Sequence, residues 1–240
     1  MDHFISKLLG FKLLQRQPQI NLHKVLQSLD AGQTYWHLSI VSGSFYEGMP
    51  LDVCGDRDQM RCEPSRFIVY PEAFRQLIDG EVGRVVFIAE TDLEQPAFVK
   101  LKLRGSCDSI MDNLAENITK DNFPYANSHS FVNETGNPDK EIHGPARTGL
   151  HVTGDSKFGK KDLVYCLACL LWPSIASEYM SRARNGGWPT QSTLETIQKD
   201  GCHVVPVGPP ESRDKHLQWR WSFSLAEKCL CYSMNDPMQT

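Results

Sequence analysis

The chain has 240 residues, of which 40% are hydrophobic and 22% are charged, and this composition is typical of a soluble globular protein with one large or two small domains. The formal net charge of −4 and the isoelectric point near 6.1 argue against a surface dominated by nucleic-acid binding, although a local basic patch is compatible with both values. The longest apolar run, residues 163–172, is too short to span a bilayer, so no membrane partner is expected.

The eight cysteines lie mostly within apolar runs, at positions 54, 62, 107, 166, 169, 202, 229 and 231. This distribution predicts reduced, buried thiols rather than a disulfide framework, and it favours a cytoplasmic location, with the nucleus as the alternative. Cys166 and Cys169 form one Cys-x-x-Cys pair without a second pair at zinc spacing, so the sequence predicts core cysteines and no zinc site.

The first predicted elements are helices. Residues 4–31 carry two apolar stripes at helical spacing, separated by Pro18, which predicts helices that pack along the back of the domain, with a membrane-surface helix as the alternative. An aromatic and β-branched strand follows at residues 35–41. Gly43 and Ser44 then form a turn in which the glycine lets the main chain approach a ligand closely. If a helix begins there, its first amides would point at an anion.

Asp56 and Asp58 follow this turn and are two residues apart. On a strand they would project from the same face, where two carboxylates repel each other unless a positive group lies between them. A divalent metal is the usual solution, and together with the Gly-Ser turn it indicates phosphoryl or nucleotidyl transfer. The alternative for the same residues is a solvated pair of surface aspartates.

The middle of the chain predicts a short helix and two strands. Residues 71–78 are predicted to be helical, with Pro71 in the first turn, and residues 84–90 and 98–104 are predicted to form two antiparallel strands. In the second strand the apolar residues point to one face and the cations to the other, namely Lys100, Lys102 and Arg104. The solvated side of a sheet is a better explanation for this row than a phosphate site.

Residues 112–120 are predicted to be helical, and residues 121–161 are predicted to be mostly loop. The loop is interrupted at residues 142–146, where His143 is interpreted as supporting a turn rather than acting as a base. Asp162 opens the apolar strand at 161–167, and a carboxylate there is costly unless it lies at the end of the strand or binds something. If this strand lies beside the Asp58 strand, Asp162 supplies a third carboxylate.

The remaining elements are predicted from helix and strand signals in order. Helices are expected at residues 172–184 and 190–200, and strands at 202–207 and 219–224. Ser224 and Glu227 have the spacing of a capping box, which predicts the start of a last helix.

These motifs together resemble the nucleotidyltransferase signature of Mab-21-like and cyclic GMP-AMP synthase-like proteins. The matching segments are residues 43–47, 56–60 and 143–146, Asp162 with Trp172-Pro173, and residues 187–189, 201–208 and 219–228. The closing segment, which contains two tryptophans, is the most specific of them. The similarity covers roughly residues 34 to 231.

The resemblance implies an α+β fold, namely a polymerase-β-like nucleotidyltransferase lobe with a mixed, mostly antiparallel sheet packed on helices and an N-terminal spine helix. The spine would occupy residues 1–33 and this domain residues 34–223, and residues 224–240 would begin a truncated helical lobe. By position, Asp56, Asp58 and Asp162 would be the catalytic carboxylates and would hold two Mg²⁺ or Mn²⁺ ions. Gly43 and Ser44 would bind the triphosphate of ATP or GTP.

The resemblance further implies an enzyme that joins nucleoside triphosphates, with a cyclic dinucleotide made during innate sensing as one product class. A nucleic-acid activator would fit such an enzyme but is not supported by the net charge. The alternative is a catalytically inactive Mab-type module that binds nucleotides or other proteins. Arg57, between the two carboxylates, and the short C-terminal region favour this alternative.

Overall fold

The computed structural model describes residues 38–42, 57–62, 67–72, 85–105, 125–135, 141–153, 156–184 and 186–234. The predicted spine at residues 1–33, the predicted helix at 112–120 and the last residues of the chain, 235–240, lie outside these ranges. Most of the predicted helix at 71–78 lies outside them as well.

Within the described ranges the chain forms ten strands and four α-helices. The strands are β1 (Leu38–Ser42), β2 (Arg57–Cys62), β3 (Phe67–Pro71), β4 (Val85–Thr91), β5 (Phe98–Gly105), β6 (Glu141–His143), β7 (Ala146–Thr153), β8 (Ser156–Cys169), β9 (Cys202–Val205) and β10 (Gln218–Ser222). The helices are α1 (Ser128–Thr135), α2 (Ser177–Ser181), α3 (Gln191–Asp200) and α4 (Ser224–Met234), with 3-10 turns at Ser174–Ala176 and Lys215–Leu217. None of the described helices is long and apolar enough to cross a membrane.

The strands form one mixed sheet in the order β1-β2-β8-β3-β4-β5-β10-β9. Because β9 also pairs with β8, the strands from β8 to β9 form a closed circuit, while β7 pairs with β8 and β6 with β7. The parallel pairings are β2 with β8, β3 with β8, and β3 with β4, and the other pairings of the described strands are antiparallel. The chain therefore combines helices with a mostly antiparallel sheet, as the resemblance implies.

Strand β8 is the element that joins the two parts of this sheet. Its residues from Ser156 to Val164 pair with β7, those from Lys161 to Cys166 pair with β2, and its last residues pair with β3 and β9. The side chains of its final four residues are buried, as expected for a strand with neighbours on both sides. Strand β8 therefore contributes to two layers of the core. Leu167 and Cys169 pack in one layer, and Cys166 and Ala168 pack in the other.

The predicted alternation along β5 is confirmed. Val99 and Leu101 are buried in the core, whereas Lys102 and Arg104 are exposed. The Lys100 Nζ atom lies 2.9 Å from an Asp214 carboxylate oxygen, so this row forms surface ion pairs. Ion pairs at such exposed positions add little stability, which agrees with a solvated sheet face.

The prediction that residues 121–161 are mostly loop is wrong. This segment contains α1, the hairpin of β6 and β7, and the beginning of β8. Gly144, with a φ of +60°, occupies the hairpin turn, where a left-handed conformation favours glycine. The composition is rich in turn-forming residues, but β7 is stabilised by its backbone ladder with β8 rather than by an apolar alternation of its own.

Three further parts of the chain differ from the sequence predictions. Pro71 ends β3 instead of beginning a helix, because the buried run Ile68–Tyr70 before it pairs with β4 and Pro71 follows as the final residue of that strand. Asp162 lies in the interior of β8 rather than at its start, since β7 extends the strand pairing back to Ser156. The predicted helix at 172–184 is a 3-10 turn followed by the short α2.

The carboxyl group of Asp200, the last residue of α3, is expected to lower the stability of the protein near neutral pH. It is buried, and burial raises the pKa of its carboxyl group although Lys199 acts in the opposite direction. A raised folded-state pKa means that this group favours the folded state most below its unfolded pKa of about 3.9, and that the advantage is lost as the pH rises through the folded pKa. Asp200→Asn removes an anion from a helix C-terminus, so we expect about 0.3–1 kcal/mol more stability near neutral pH.

Urea unfolding of the two proteins across a pH series tests this expectation. The gain from Asp200→Asn should disappear at acidic pH, where the wild-type carboxyl group is protonated in both states. A gain of equal size at every pH would contradict the assignment of the effect to the buried charge.

Candidate functional site

The structure brings two of the three predicted carboxylates together. Strands β2 and β8 are parallel, and Asp58 is the register partner of Asp162. Register partners on adjacent strands project from the same face, and adjacent strands lie about 4.8 Å apart. Asp58 is exposed and Asp162 is half-buried, so the pair lies where the face of the sheet meets solvent.

A hydroxyl group fixes one of these carboxylates. Thr148, on β7, is the register partner of Asp162 on the other side of β8, and its Oγ1 donates a hydrogen bond of 2.6 Å to Asp162 Oδ1. A short bond from a hydroxyl group to a carboxylate is a strong one, and it holds the carboxylate in one orientation. The sequence prediction missed Thr148 because it assigned this segment to a loop, and no local pattern distinguishes it from other threonines.

The carboxylate pair belongs to a row of register partners that crosses the sheet. On the β1 side, Ser42 pairs with Asp58, and on the β6 side, Glu141 pairs with Thr148. Glu141 is exposed, and one of its carboxylate oxygens lies 3.3 Å from His143 Nε2. His143 precedes the glycine of the hairpin turn, which agrees with its predicted association with a turn.

The residues beneath the pair are apolar. Two positions further along both strands, Met60 and Val164 are register partners on the same face, and they pack with the buried Ile40. The carboxylates are therefore accessible from solvent, while the strands that carry them are held by a packed layer. Such an arrangement limits the movement of functional groups relative to each other.

Three predicted site residues lie outside the described residues, namely Gly43, Ser44 and Asp56. Their roles stay predictions, although Ser42, which immediately precedes Gly43 in the sequence, is the register partner of Asp58. Arg57 pairs through its backbone with Lys161, and the structure does not describe either side chain.

Two of the tryptophans in the family-like motifs are held by specific contacts in the described part of the protein. Trp219, in the closing segment, is fully buried, its indole Nε1 donates a hydrogen bond of 3.0 Å to the carbonyl of Ala126, and its ring lies 5.1 Å from that of Phe131. Trp172 Nε1 donates to the carbonyl of Ala176, and its ring packs on Phe223 at 5.1 Å. Trp219 of the closing segment therefore contributes to the packing of the core.

Comparison with protein families gives a match over most of this core. Residues 97–233 match the family model described as the Mab-21 protein nucleotidyltransferase domain. The match covers more than half of the chain, runs from β5 into α4 and includes both Thr148 and Asp162. Asp58 lies before the matched range.

Proposed function

Because the chain belongs to the Mab-21 nucleotidyltransferase family, whose domain implies a polymerase-β-like fold, we propose that Asp58 and Asp162 are the metal-binding carboxylates of a nucleotidyltransferase active site. The observation that supports this proposal is their direct register pairing on β2 and β8, because the two residues are far apart in the sequence. The family match supports the reaction class, and the register pairing supports the position of the site.

The donor set suits Mg²⁺ or Mn²⁺. Carboxylate oxygens are hard ligands, which these ions prefer, and exposure of Asp58 leaves room for water and phosphate oxygens to complete the coordination. Asp56 is proposed as the third carboxylate by its place in the sequence. When bound, divalent ions in such sites neutralise phosphate charge and lower the pKa of an attacking hydroxyl group.

The residues of the chain would bind and orient the reactants. Thr148 holds the Asp162 carboxylate in a fixed orientation through its hydrogen bond, so little reorganisation is needed when the ligand binds. Gly43 and Ser44 are proposed to bind the triphosphate. The substrates are proposed to be ATP and GTP, and a cyclic dinucleotide used in innate sensing is the proposed product class.

The test uses the full chain and two measurements. We expect the wild-type protein to bind ATP or GTP in a Mg²⁺-dependent manner and to form a labelled product with release of pyrophosphate. Asp58→Asn and Asp162→Asn each remove a charged ligand, so we expect each variant to lower turnover by at least about 100-fold and to weaken the Mg²⁺-dependent binding. Far-ultraviolet circular dichroism confirms that the variants are folded.

Glu211→Gln is the matched control because Glu211 is an exposed carboxylate that lies outside the row of register partners. The Glu211→Gln variant should bind nucleotide and form product as the wild-type protein does. Turnover unchanged in Asp58→Asn would remove the assignment of the site. Absence of Mg²⁺-dependent nucleotide binding by the wild-type protein would overturn the proposed function itself.

A further inference from the structure

A second group of possible ligands lies deeper on the same face of the sheet. Cys62 is the register partner of Cys166 on β2 and β8, and His203 on β9 pairs with Ala168, two residues beyond Cys166. The two Sγ atoms and an imidazole nitrogen all lie within 4.8 Å of one another. The three residues are 0%, 1% and 0% exposed, respectively, so they form one compact cluster inside the protein.

His203 is the unusual member of this cluster. Neither of its ring nitrogens has a hydrogen-bond partner among the described residues, although both are buried. Buried polar groups almost always have partners, and leaving one unsatisfied costs about 1–3 kcal/mol. An imidazole nitrogen that faces two thiols in an apolar layer is a donor suited to a soft cation.

We propose that Cys62, Cys166 and His203 bind a zinc ion in the interior of the sheet. Two thiolates, one neutral imidazole and Zn²⁺ have no net charge, so the occupied site can be buried without the cost of an isolated charge. Monovalent copper with the same donors would leave a buried net charge of about −1, which is why we favour zinc.

The geometry is compatible with such a site. Zinc binds thiolates at about 2.3 Å and imidazole at about 2.0–2.1 Å, so its ligand atoms lie roughly 3.5–4 Å from one another. The donor atoms of the cluster already lie within 4.8 Å of one another, so each would have to move only a short distance to reach that spacing. A water molecule would complete the tetrahedron. Zinc binds cysteine as the thiolate, so both thiols would release their protons when the metal binds.

This zinc site is separate from the proposed magnesium site, and neither proposal rests on the other. Asp58 and Cys62 are four residues apart on β2, as are Asp162 and Cys166 on β8, which corresponds to about 13 Å along the strands. Zinc would link β2 to β8 below the carboxylates and hold the register that pairs them. The sequence predicted no zinc site because the donors come from three strands that are distant in the chain.

The first experiment uses the full chain, purified with reductant and freed of metal. We expect one equivalent of Co²⁺ to give a thiolate-to-cobalt charge-transfer band and the visible bands of tetrahedral cobalt, and we expect Zn²⁺ to displace it. X-ray absorption of the zinc-loaded wild-type protein should show two sulfur ligands at about 2.3 Å and at least one nitrogen ligand at about 2.0–2.1 Å. Fewer than two sulfur ligands would overturn the proposal.

Variants then locate the site. We expect Cys62→Ala and His203→Gln each to weaken zinc binding by at least about 100-fold in competition with a chelator. Cys202→Ala is the matched control, because Cys202 is also a buried thiol on β9 but packs in the other core layer, and it should bind zinc as the wild type does. An equal loss in the control, binding of Cu⁺ in place of Zn²⁺, or a Cys62–Cys166 disulfide in the metal-free protein would overturn the proposal.

If a variant does not fold, the spectra of the wild-type protein still decide the question. The proposed nucleotidyltransferase function has a different readout, since Mg²⁺-dependent nucleotide binding can persist in a protein that shows no zinc binding. The two proposals can therefore fail independently.

Discussion

Replacing Gly201 by alanine is expected to destabilise the protein by more than about 3 kcal/mol, a large part of the 5–15 kcal/mol that stabilises a typical domain. Gly201 ends α3 with a φ of 70° and a ψ of −148°, a region that is open essentially only to glycine. A Cβ atom there would lie 2.3 Å from the carbonyl oxygen of Cys169 and 3.0 Å from the carbonyl carbon of Leu170. Both contacts are with backbone atoms, so the end of β8 would have to move.

Gly144→Ala is the control for this prediction. Gly144 also has a positive φ, of 60°, but a Cβ atom there would meet nothing within 4 Å. We therefore expect Gly144→Ala to lower the free energy of unfolding by only about 1–2 kcal/mol, which is the cost of placing alanine in a left-handed backbone conformation. Urea unfolding of both variants measures the difference, and equal losses would show that the close approach of Gly201 to β8 is unimportant.

The elements with strong local signals are the ones that the sequence predicts correctly. In α3, Thr190 accepts a hydrogen bond from the Thr193 amide at the start and Gly201 follows the last residue, so both ends are marked in the sequence. In β5, the alternation of apolar and charged residues identifies both the strand and its buried face. These signals depend only on neighbouring residues and therefore need no knowledge of the rest of the fold.

The parts that sequence reasoning misses depend on contacts between distant segments. Strand β7 has a polar composition that favours loop, and its ordering comes from pairing with β8. The same register places Thr148 against Asp162, which no spacing rule could indicate. The sequence indicates that aspartates form the site, and it indicates that Asp58 and Asp162 meet if their two strands are neighbours. It does not indicate the Thr148 hydroxyl group that orients the Asp162 carboxylate.

The buried cluster of Cys62, Cys166 and His203 illustrates the same limit more strongly. Zinc sites are identified in sequences by short spacings within one loop or hairpin. Here each donor comes from a different strand, and only the order β2-β8-β9 brings them together. The apolar neighbours of each residue indicate burial correctly, but they do not indicate what each side chain faces.

Replacing Trp219 by alanine is the second change for which we expect a large loss of stability, about 3–5 kcal/mol. Trp219 is fully buried on β10, pairs with Val99 on β5 and packs against Phe131 of α1. Truncation would remove the transfer free energy of the ring and leave a cavity in a layer shared by several strands. It would also leave the carbonyl of Ala126 without the indole hydrogen bond, which adds to the cost.

Trp188 provides a matched control because its indole nitrogen also donates one hydrogen bond, of 3.0 Å, to Ser233 Oγ. Its side chain is 41% exposed, so Trp188→Ala should cost much less, and the difference between the two variants measures the contribution of burial. Denaturant unfolding monitored by circular dichroism gives both values. Similar losses for Trp188→Ala and Trp219→Ala would contradict a core role for the closing segment.

Trp219→Phe separates this structural role from a direct role in the proposed reaction. Phenylalanine keeps most of the buried ring area but lacks the indole donor, so we expect a smaller loss of stability than with alanine. Because Trp219 belongs to the hydrophobic core cluster, the folded Trp219→Phe protein should keep its Mg²⁺-dependent nucleotide binding. A folded variant that loses nucleotide binding would place this residue in the site, and the closing segment would then act in recognition as well as in packing.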